Sequence, residues 1–86
     1  MSERIGRKVR IRSLGKAKIA DEVSMVCGHI AGGEFEAVIQ RIETEDGRVF
    51  VRFGYYKNGR WTNRPLNMES KLARKLVKYA LEKGIF

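Results

Sequence analysis

The chain has 86 residues, of which 18 are Lys or Arg and 10 are Asp or Glu, giving a formal net charge of +8. This length fits one domain over residues 1–86 and excludes a second. No apolar run approaches the roughly 18 residues of a membrane-spanning helix, and the charged N-terminus is unlike a secretory signal. Because Cys27 is the single cysteine, no intrachain disulfide can form, and we expect a cytoplasmic protein.

The charges are unevenly distributed along the chain. Residues 1–18 carry seven Lys or Arg and one Glu, whereas residues 19–48 carry two Arg and seven acids. Residues 49–66 carry four bases and no acid, and residues 67–86 carry five bases and two acids. Such a pattern indicates an anionic partner, either a phosphate polymer or an anionic membrane. One Gln, three Asn and a third of the residues charged favour a thermophilic source.

The N-terminal half predicts a strand followed by a helix. In Lys8–Ser13, Val9 and Ile11 alternate with basic residues, which is the period of a half-buried strand. From Lys16 onward the apolar residues recur at helical spacing, at Ile19, Val23, Val26 and Ile30. Gly32-Gly33 ends this predicted helix.

The middle of the chain predicts an antiparallel meander of three strands, over 35–45, 48–57 and 60–64. Asp46-Gly47 and Asn58-Gly59 are both type I′ hairpin signals between apolar runs. Pro65 ends the meander, because proline has no N–H to donate to a neighbouring strand.

The C-terminal segment predicts a second helix. Asn67 is a suitable N-cap, and Gly84 suits the residue that follows the last turn. Leu72, Leu76 and Ala80 share one face of this helix. The predicted architecture is therefore α+β, a small antiparallel β-meander of three to four strands that two helices cover on one face.

The two turns also predict a register. A two-residue loop at Asp46-Gly47 pairs Ile42 with Val51, and Val38 with Tyr55. Because strand residues alternate faces, the predicted core face holds Val38, Ile42, Val49, Val51, Phe53 and Tyr55. The opposite face then holds Ile39, Arg41, Phe50, Arg52, Gly54, Tyr56, Trp61 and Asn63.

Aromatic rings and guanidinium groups alternate on that second face, and Gly54 leaves an open space among them. Bases stack on such rings while Lys and Arg follow the phosphates, so the pattern predicts a site for single-stranded nucleic acid. The candidate contacts are Arg41, Phe50, Arg52, Tyr56, Lys57, Arg60, Trp61 and Arg64. The alternative is that both faces are buried, with Tyr56 and Trp61 as a cross-strand pair in a core or a dimer interface.

Two further groups of basic residues are secondary candidates. Lys71, Arg74, Lys75 and Lys78 share a face of the last helix, where they either track phosphates or are simply solvated. The N-terminal arm carries Arg4, Arg7, Lys8, Arg10 and Arg12, which either bind an anion or protect a strand edge from aggregation. From these groups we select Arg10, Arg12, Lys71 and Lys75.

Nothing in the sequence indicates catalysis. A structural zinc site needs about four nitrogen or sulfur ligands, and His29 and Cys27 are the only residues of their kinds. We expect Cys27 to be a small core residue. No metal site, catalytic residue or cofactor is predicted, and the chain is not expected to be an enzyme.

A resemblance to known families lies in the C-terminal half. The stretch 51–66, VRFGYYKNGRWTNRPL, followed by a capped amphipathic helix, resembles the ThermoDBP-type single-stranded DNA-binding proteins of thermophilic archaea. More loosely, it resembles the strand–turn–strand–helix half of the positive-cofactor transcriptional coactivators, which bind single-stranded DNA as dimers. The resemblance implies contacts at Phe50, Arg52, Tyr56, Arg60, Trp61 and Arg64.

These observations together predict a non-sequence-specific single-stranded DNA-binding protein, with RNA as a second possible ligand. We expect a homodimer or higher oligomer, because a short chain with a small sheet has open edges and little core. Two alternatives stay open. One is a protein that binds double-stranded nucleic acid, RNA or the ribosome through its basic arm and last helix. The other is a subunit whose aromatic face contacts a partner protein.

Overall fold

The structure is a computed structural model that describes residues 4–11, 15–30, 33–62 and 65–86. Its elements in chain order are β1 (Lys8–Ile11), β2 (Gly15–Ile30), β3 (Gly33–Thr44), β4 (Val49–Lys57), β5 (Arg60–Trp61), β6 (Leu66–Glu69) and α1 (Ser70–Lys83). Every strand pair is antiparallel, in the order β1-β2-β3-β4-β5, and β6 pairs with β4 on the same edge as β5. The sheet is curled, so that it has an inner and an outer face.

The predicted fold class is wrong in its number of strands and helices. The described residues form six strands and one helix, and the segment predicted as the first helix is the 16-residue strand β2. Two β-bulges interrupt the pairing of β2 with β3, between Ile19 and Asp21 and between Val26 and Gly28. Because a bulge adds one residue and shifts the alternation, apolar residues from both faces produced a spacing that resembled a helix.

The predicted register of β3 and β4 is also wrong, by one residue. Ile42 pairs with Phe50 and Val38 pairs with Gly54. The cause is the turn, in which Gly47 adopts a positive φ of 84° while Asp46 does not. A type I′ turn needs a positive φ at both residues, so the loop instead has three residues and ends at Gly47.

Hydrogen bonds around Thr44 fix this three-residue loop. The Gly47 N–H donates to the Thr44 carbonyl at 3.1 Å, and the Arg48 N–H donates to Thr44 Oγ1 at 3.0 Å. The Thr44 hydroxyl in turn donates to the Asp46 carboxylate. This hydrogen bond, and to a smaller extent the hydrogen bond from the Arg48 side chain, lowers the pKa of Asp46.

The second hairpin confirms its predicted turn and register. Asn58 and Gly59 have positive φ values of 51° and 80°, as a type I′ turn requires. Tyr56 pairs with Trp61, and the Thr62 N–H donates to the Tyr55 carbonyl at 2.9 Å. Within the described residues β5 includes only two positions of the predicted strand 60–64, and residues 63 and 64 of that strand lie outside them.

The hydrophobic core lies on the inner face at one end of the sheet. Its buried members come from β1 to β4 and are Ile11, Ala17, Ile19, Ile42 and Phe50, with Val9 partly buried against them. The alternation predicted for the first strand is confirmed over Lys8–Ile11, because Val9 and Ile11 face inward while Lys8 and Arg10 are exposed.

Helix α1 lies against the outer face of the sheet, where Ala73 is its buried residue. It begins at Ser70 rather than after Asn67, which lies in β6 opposite Arg52. Its predicted C-terminal stop is confirmed, since Gly84 has a φ of 76° and the Ile85 N–H donates to the Ala80 carbonyl at 3.0 Å. Among the described residues no helix is both long enough and apolar enough to cross a membrane.

Candidate nucleic-acid interface

Phe50 and Arg52, two predicted nucleic-acid contacts, are buried on the inner face of the sheet. Phe50 is 9% exposed and Arg52 is 7% exposed. The shifted register explains this burial, because it places Phe50 opposite Ile42 and Arg52 opposite Gln40. The predicted division into a core face and a binding face is therefore wrong: Val38 and Ile42 share a face with Phe50 and Arg52.

A chain of hydrogen bonds crosses the inner face from β4 to the N-terminal segment. Arg52 Nε donates to Gln40 Oε1 at 2.8 Å, and Gln40 Nε2 donates to Glu22 Oε1 at 2.7 Å. Glu22, whose side chain is fully buried, also accepts a hydrogen bond from Arg4 Nε at 2.9 Å. Burial lowers the pKa of Arg52, whereas the bond to Glu22 raises that of Arg4.

The same two arginines cover the aromatic rings of the inner face. The Arg4 guanidinium carbon lies 4.0 Å from the centroid of the Tyr56 ring, and that of Arg52 lies 4.6 Å from the Trp61 ring. The two rings contact each other with centroids 4.8 Å apart. We call these residues the inner-face cluster: Arg4, Glu22, Gln40, Arg52, Tyr56 and Trp61. Its paired charges and cation–π contacts bind the strands to one another.

Trp61 also fills the space that was predicted to be open at Gly54. A Cβ atom built on Gly54 would lie 2.5 Å from Trp61 Cη2. The indole therefore lies directly over the Gly54 backbone. With one arginine on its ring and the sheet beneath it, Trp61 has its main contacts inside the protein.

The other predicted contacts lie elsewhere. Arg41 is on the outer face and forms an ion pair with Glu43, with Nε and Oε2 3.2 Å apart. Lys57 and Arg60 are opposite each other beside the β4–β5 turn. The secondary candidates Arg10, Lys71 and Lys75 are exposed, on β1 and α1. Arg12 and Arg64 lie outside the described residues.

The outer face beside the β4–β5 turn has an open depression of about 600 Å³. Its lining residues are Tyr55, Lys57, Asn58, Arg60, Trp61 and Thr62. The Tyr55 ring is stacked on Phe35, with centroids 4.8 Å apart and an angle of 29° between the rings, and the residue remains 39% exposed. The structure thus brings an exposed ring together with Lys57 and Arg60, two of the predicted contacts.

The sequence interpretation missed Phe35 and Tyr55, and it placed Tyr55 in the core. Tyr55 pairs with Ala37, so Phe35 lies diagonally across the two strands, within reach of an aromatic ring. Gly47 could have identified this pair if residues 45–47 had been interpreted as a three-residue loop. Such a loop moves the β3 partner of each β4 residue by one position.

Asn58 fixes the hairpin that carries this depression. Its backbone N–H donates to the Glu34 carbonyl at 2.9 Å, and its Oδ1 accepts the Glu34 N–H at 2.9 Å. Gly33 leaves room for the Asn58 side chain, because a Cβ at Gly33 would lie 2.6 Å from Asn58 Nδ2. The turn is thereby attached to the start of β3 as well as to its own strands.

Cys27 is exposed at the second bulge of β2, so its predicted place in the core is wrong. The bulge leaves Cys27 out of the pairing between β2 and β3. Across the part of the chain that the structure describes, no group of three or more His, Cys, Asp or Glu residues could hold a metal ion.

Comparison of the chain with protein-family models, with curated proteins and with solved structures finds no significant match. The resemblance to the ThermoDBP-type proteins stays a prediction. What the chain does must therefore be inferred from its own residues and their geometry.

Proposed function

We propose that this chain binds single-stranded nucleic acid, without sequence preference, on the outer face beside the β4–β5 turn. The observation that supports the proposal is the Tyr55 ring, which is stacked on Phe35 and still exposed in a depression lined by Lys57 and Arg60. A flat exposed ring accepts the face of any base, and cations beside it attract the phosphates. Among the residues that the structure describes, none that lines the depression is acidic.

The inner face is a weaker candidate for the same activity. Its rings, Tyr56 and Trp61, are already covered by the guanidinium groups of Arg4 and Arg52. A base could stack there only by displacing a contact that contributes to the fold. Tyr55 has no such cover, because its contact with Phe35 leaves part of the residue exposed.

The proposed activity is binding rather than catalysis, and we place it in the cytoplasm, where the exposed thiol of Cys27 would remain reduced. A second candidate function is the binding of duplex or ribosomal nucleic acid. It is supported by the four basic residues that α1 exposes on one side, Lys71, Arg74, Lys75 and Lys78. Duplexes are bound mainly through charge and need no exposed ring.

Titration of labelled single-stranded and duplex oligonucleotides at several salt concentrations tests the proposal. Tyr55→Ala is expected to weaken single-strand binding by roughly 5- to 150-fold, which corresponds to about 1–3 kcal/mol per stacked base. The salt dependence should be unchanged, because a tyrosine releases no counterion. Phe86→Ala, which removes an exposed ring beyond the end of α1, is the matched control and should bind as wild type does.

Each alternative has its own signature in this experiment. If Trp61→Ala weakens binding in a folded protein while Tyr55→Ala does not, the site is on the inner face. If duplex binds as tightly as single strand and Tyr55→Ala changes neither, the second candidate replaces the proposal. If wild type binds no oligonucleotide at low salt, both candidates are wrong.

A further inference from the structure

A second basic surface lies on the outer face of the β1–β2 hairpin, at the other end of the sheet from the depression. Lys8 pairs with Lys18 and Arg10 pairs with Lys16, and all four side chains are exposed. We call these four residues the basic hairpin face. We infer that it binds the phosphate backbone of the same single strand that contacts Tyr55, an inference that rests on the proposed function.

The pairing of β1 with β2 on this face places like charges opposite each other. Residues directly opposite on neighbouring strands have Cβ atoms about 5 Å apart, and like charges in that arrangement destabilise a sheet. Glu43, on β3, lies opposite Lys18, and with Glu45 it lines an open depression of about 670 Å³ that the four basic residues also line. Glu43 already forms an ion pair with Arg41. The hairpin therefore keeps an excess of positive charge that a bound phosphate would offset.

Protection of a sheet edge explains only part of the basic hairpin face. Lysines on an edge strand discourage pairing with another chain, and Lys8 and Arg10 lie on β1, whose described pairing is with β2 alone. Lys16 and Lys18 lie on β2, which is paired with β1 on one side and β3 on the other. Because Lys18 lies between Lys8 on β1 and Glu43 on β3, it is not at an open edge, and edge protection does not explain its charge.

The spacing of the four cations fits a regular polyanion. Residues two apart on a strand are separated by about 6.6 Å, so β1 and β2 each present two charges at that repeat. Successive phosphates of an extended single strand are spaced similarly. Among the described residues, the apolar ones that line this depression are Val9 and Ala17, which face inward and present no large exposed side chain to lipid, so an anionic membrane fits less well.

Two thymidine oligomers of different length separate the two sites. A strand of roughly 16 nucleotides can reach both, whereas one of roughly 4 can occupy only one. Lys16→Gln with Lys18→Gln should weaken binding of the long oligomer about tenfold at low salt. The same change should make the slope of log K against log salt shallower by about 1.4. Binding of the short oligomer to the Tyr55 depression should not change.

The control is Arg48→Gln with Lys83→Gln, which removes the same charge from exposed positions outside every proposed binding surface. Melting curves show whether each variant is folded, and the hairpin variant should be at least as stable as wild type because it loses like-charge repulsion. Equal weakening by the two double variants would mean that only net charge matters, and would overturn the inference.

Three other outcomes are decisive. Unchanged binding in the hairpin variant together with weakening by Tyr55→Ala overturns this inference and leaves the proposed function intact. Weakening in the hairpin variant with no effect of Tyr55→Ala contradicts the Tyr55 site and, with it, the inference that one strand contacts both surfaces. If the hairpin variant loses binding to phosphatidylserine vesicles but keeps oligonucleotide binding, the ligand is an anionic membrane and the inference is wrong.

Discussion

Gly54 is a small residue that determines where the large side chain of Trp61 can lie. The indole occupies the space over Gly54 that any side chain would fill, and Arg52 lies against its ring. The sequence prediction of an open space at Gly54 is wrong, because the Trp61 ring fills that space. Composition and alternation cannot show that a residue seven positions later, on a neighbouring strand, folds over that space.

Gly54→Ala is expected to destabilise the protein by about 1–3 kcal/mol, because the new methyl group overlaps Trp61 and forces it to move. Since Trp61 is the only tryptophan, its intrinsic fluorescence should shift in the folded variant. In the Trp61→Leu background, where the ring is gone, the same glycine substitution should cost little, as followed by circular dichroism in a urea titration. Equal destabilisation in both backgrounds would contradict this explanation.

At the scale of the elements, two turns with the same sequence signal behave differently. Asn58-Gly59 forms the predicted two-residue turn, and Lys57 and Arg60 lie where the sequence placed them. The Asp-Gly turn instead has a third loop residue, because the Asp46 carboxylate accepts from the Thr44 hydroxyl and its backbone keeps a negative φ. The Asp-Gly dipeptide alone does not predict this turn, because side chains that form local hydrogen bonds compete with the backbone conformation that the dipeptide favours.

Strand β2 shows why a periodic pattern can indicate the wrong element. The positions of Ile19, Val23 and Val26 fit one face of a helix, but their β3 partners place Ile19 and Val26 on the inner face and Val23 on the outer. The residue pattern of a single sequence does not show where a β-bulge adds a residue to a strand. Gly28, with its φ of 111°, nevertheless marks one of the two bulges. By contrast, the final helix was predictable, because its apolar face and its terminal Gly84 agree.

Helix α1 leaves an apolar stripe that the sheet does not cover. Leu72, Leu76 and Tyr79 lie along one side of the helix, and each is at least half exposed. Soluble monomers rarely expose such contiguous apolar surface, so we propose that a second copy of the chain packs against this stripe. Leu76→Lys should convert a dimer into a monomer in light scattering at micromolar concentration. Leu81→Lys, on the other side of the helix, is the control.

A monomeric wild type over the same concentration range would contradict the proposed dimer. If both lysine variants dissociate equally, the stripe is not the interface. A loss of single-strand binding that accompanies dissociation would show that two copies act together on one strand.

Considered as a whole molecule, the protein holds a balanced set of charges on its inner face and carries its excess positive charge outside. The buried and half-buried charges of Arg4, Glu22, Glu36 and Arg52 balance one another. The exposed basic residues lie at both ends of the outer face and on α1. Net charge and its uneven distribution were readable from the sequence. The sequence did not show which charged residues lie paired on the inner face, because that depends on the register of β3 against β4.

Glu36→Gln is expected to lower stability at neutral pH, with the difference from wild type disappearing in acid. Hydrogen bonds from Ser24 and then Arg4 lower the pKa of Glu36 in the folded protein. Its contribution is therefore complete above the ordinary glutamate pKa of about 4.3 and is lost as pH falls through the lower folded-state value. Urea midpoints measured between neutral pH and acid test this. A difference independent of pH would show that the carboxylate charge is not what matters.

The position of Arg4 has a consequence for the order of folding. Its partners Glu22, Glu36 and Tyr56 lie on β2, β3 and β4, so no complete site for its guanidinium exists until these three strands are assembled. Contacts that form after the rate-limiting step slow unfolding and leave the folding rate unchanged. We therefore expect loss of the Arg4 contacts to raise the unfolding rate more than it lowers the folding rate, so that the segment before β1 governs how long the native protein persists.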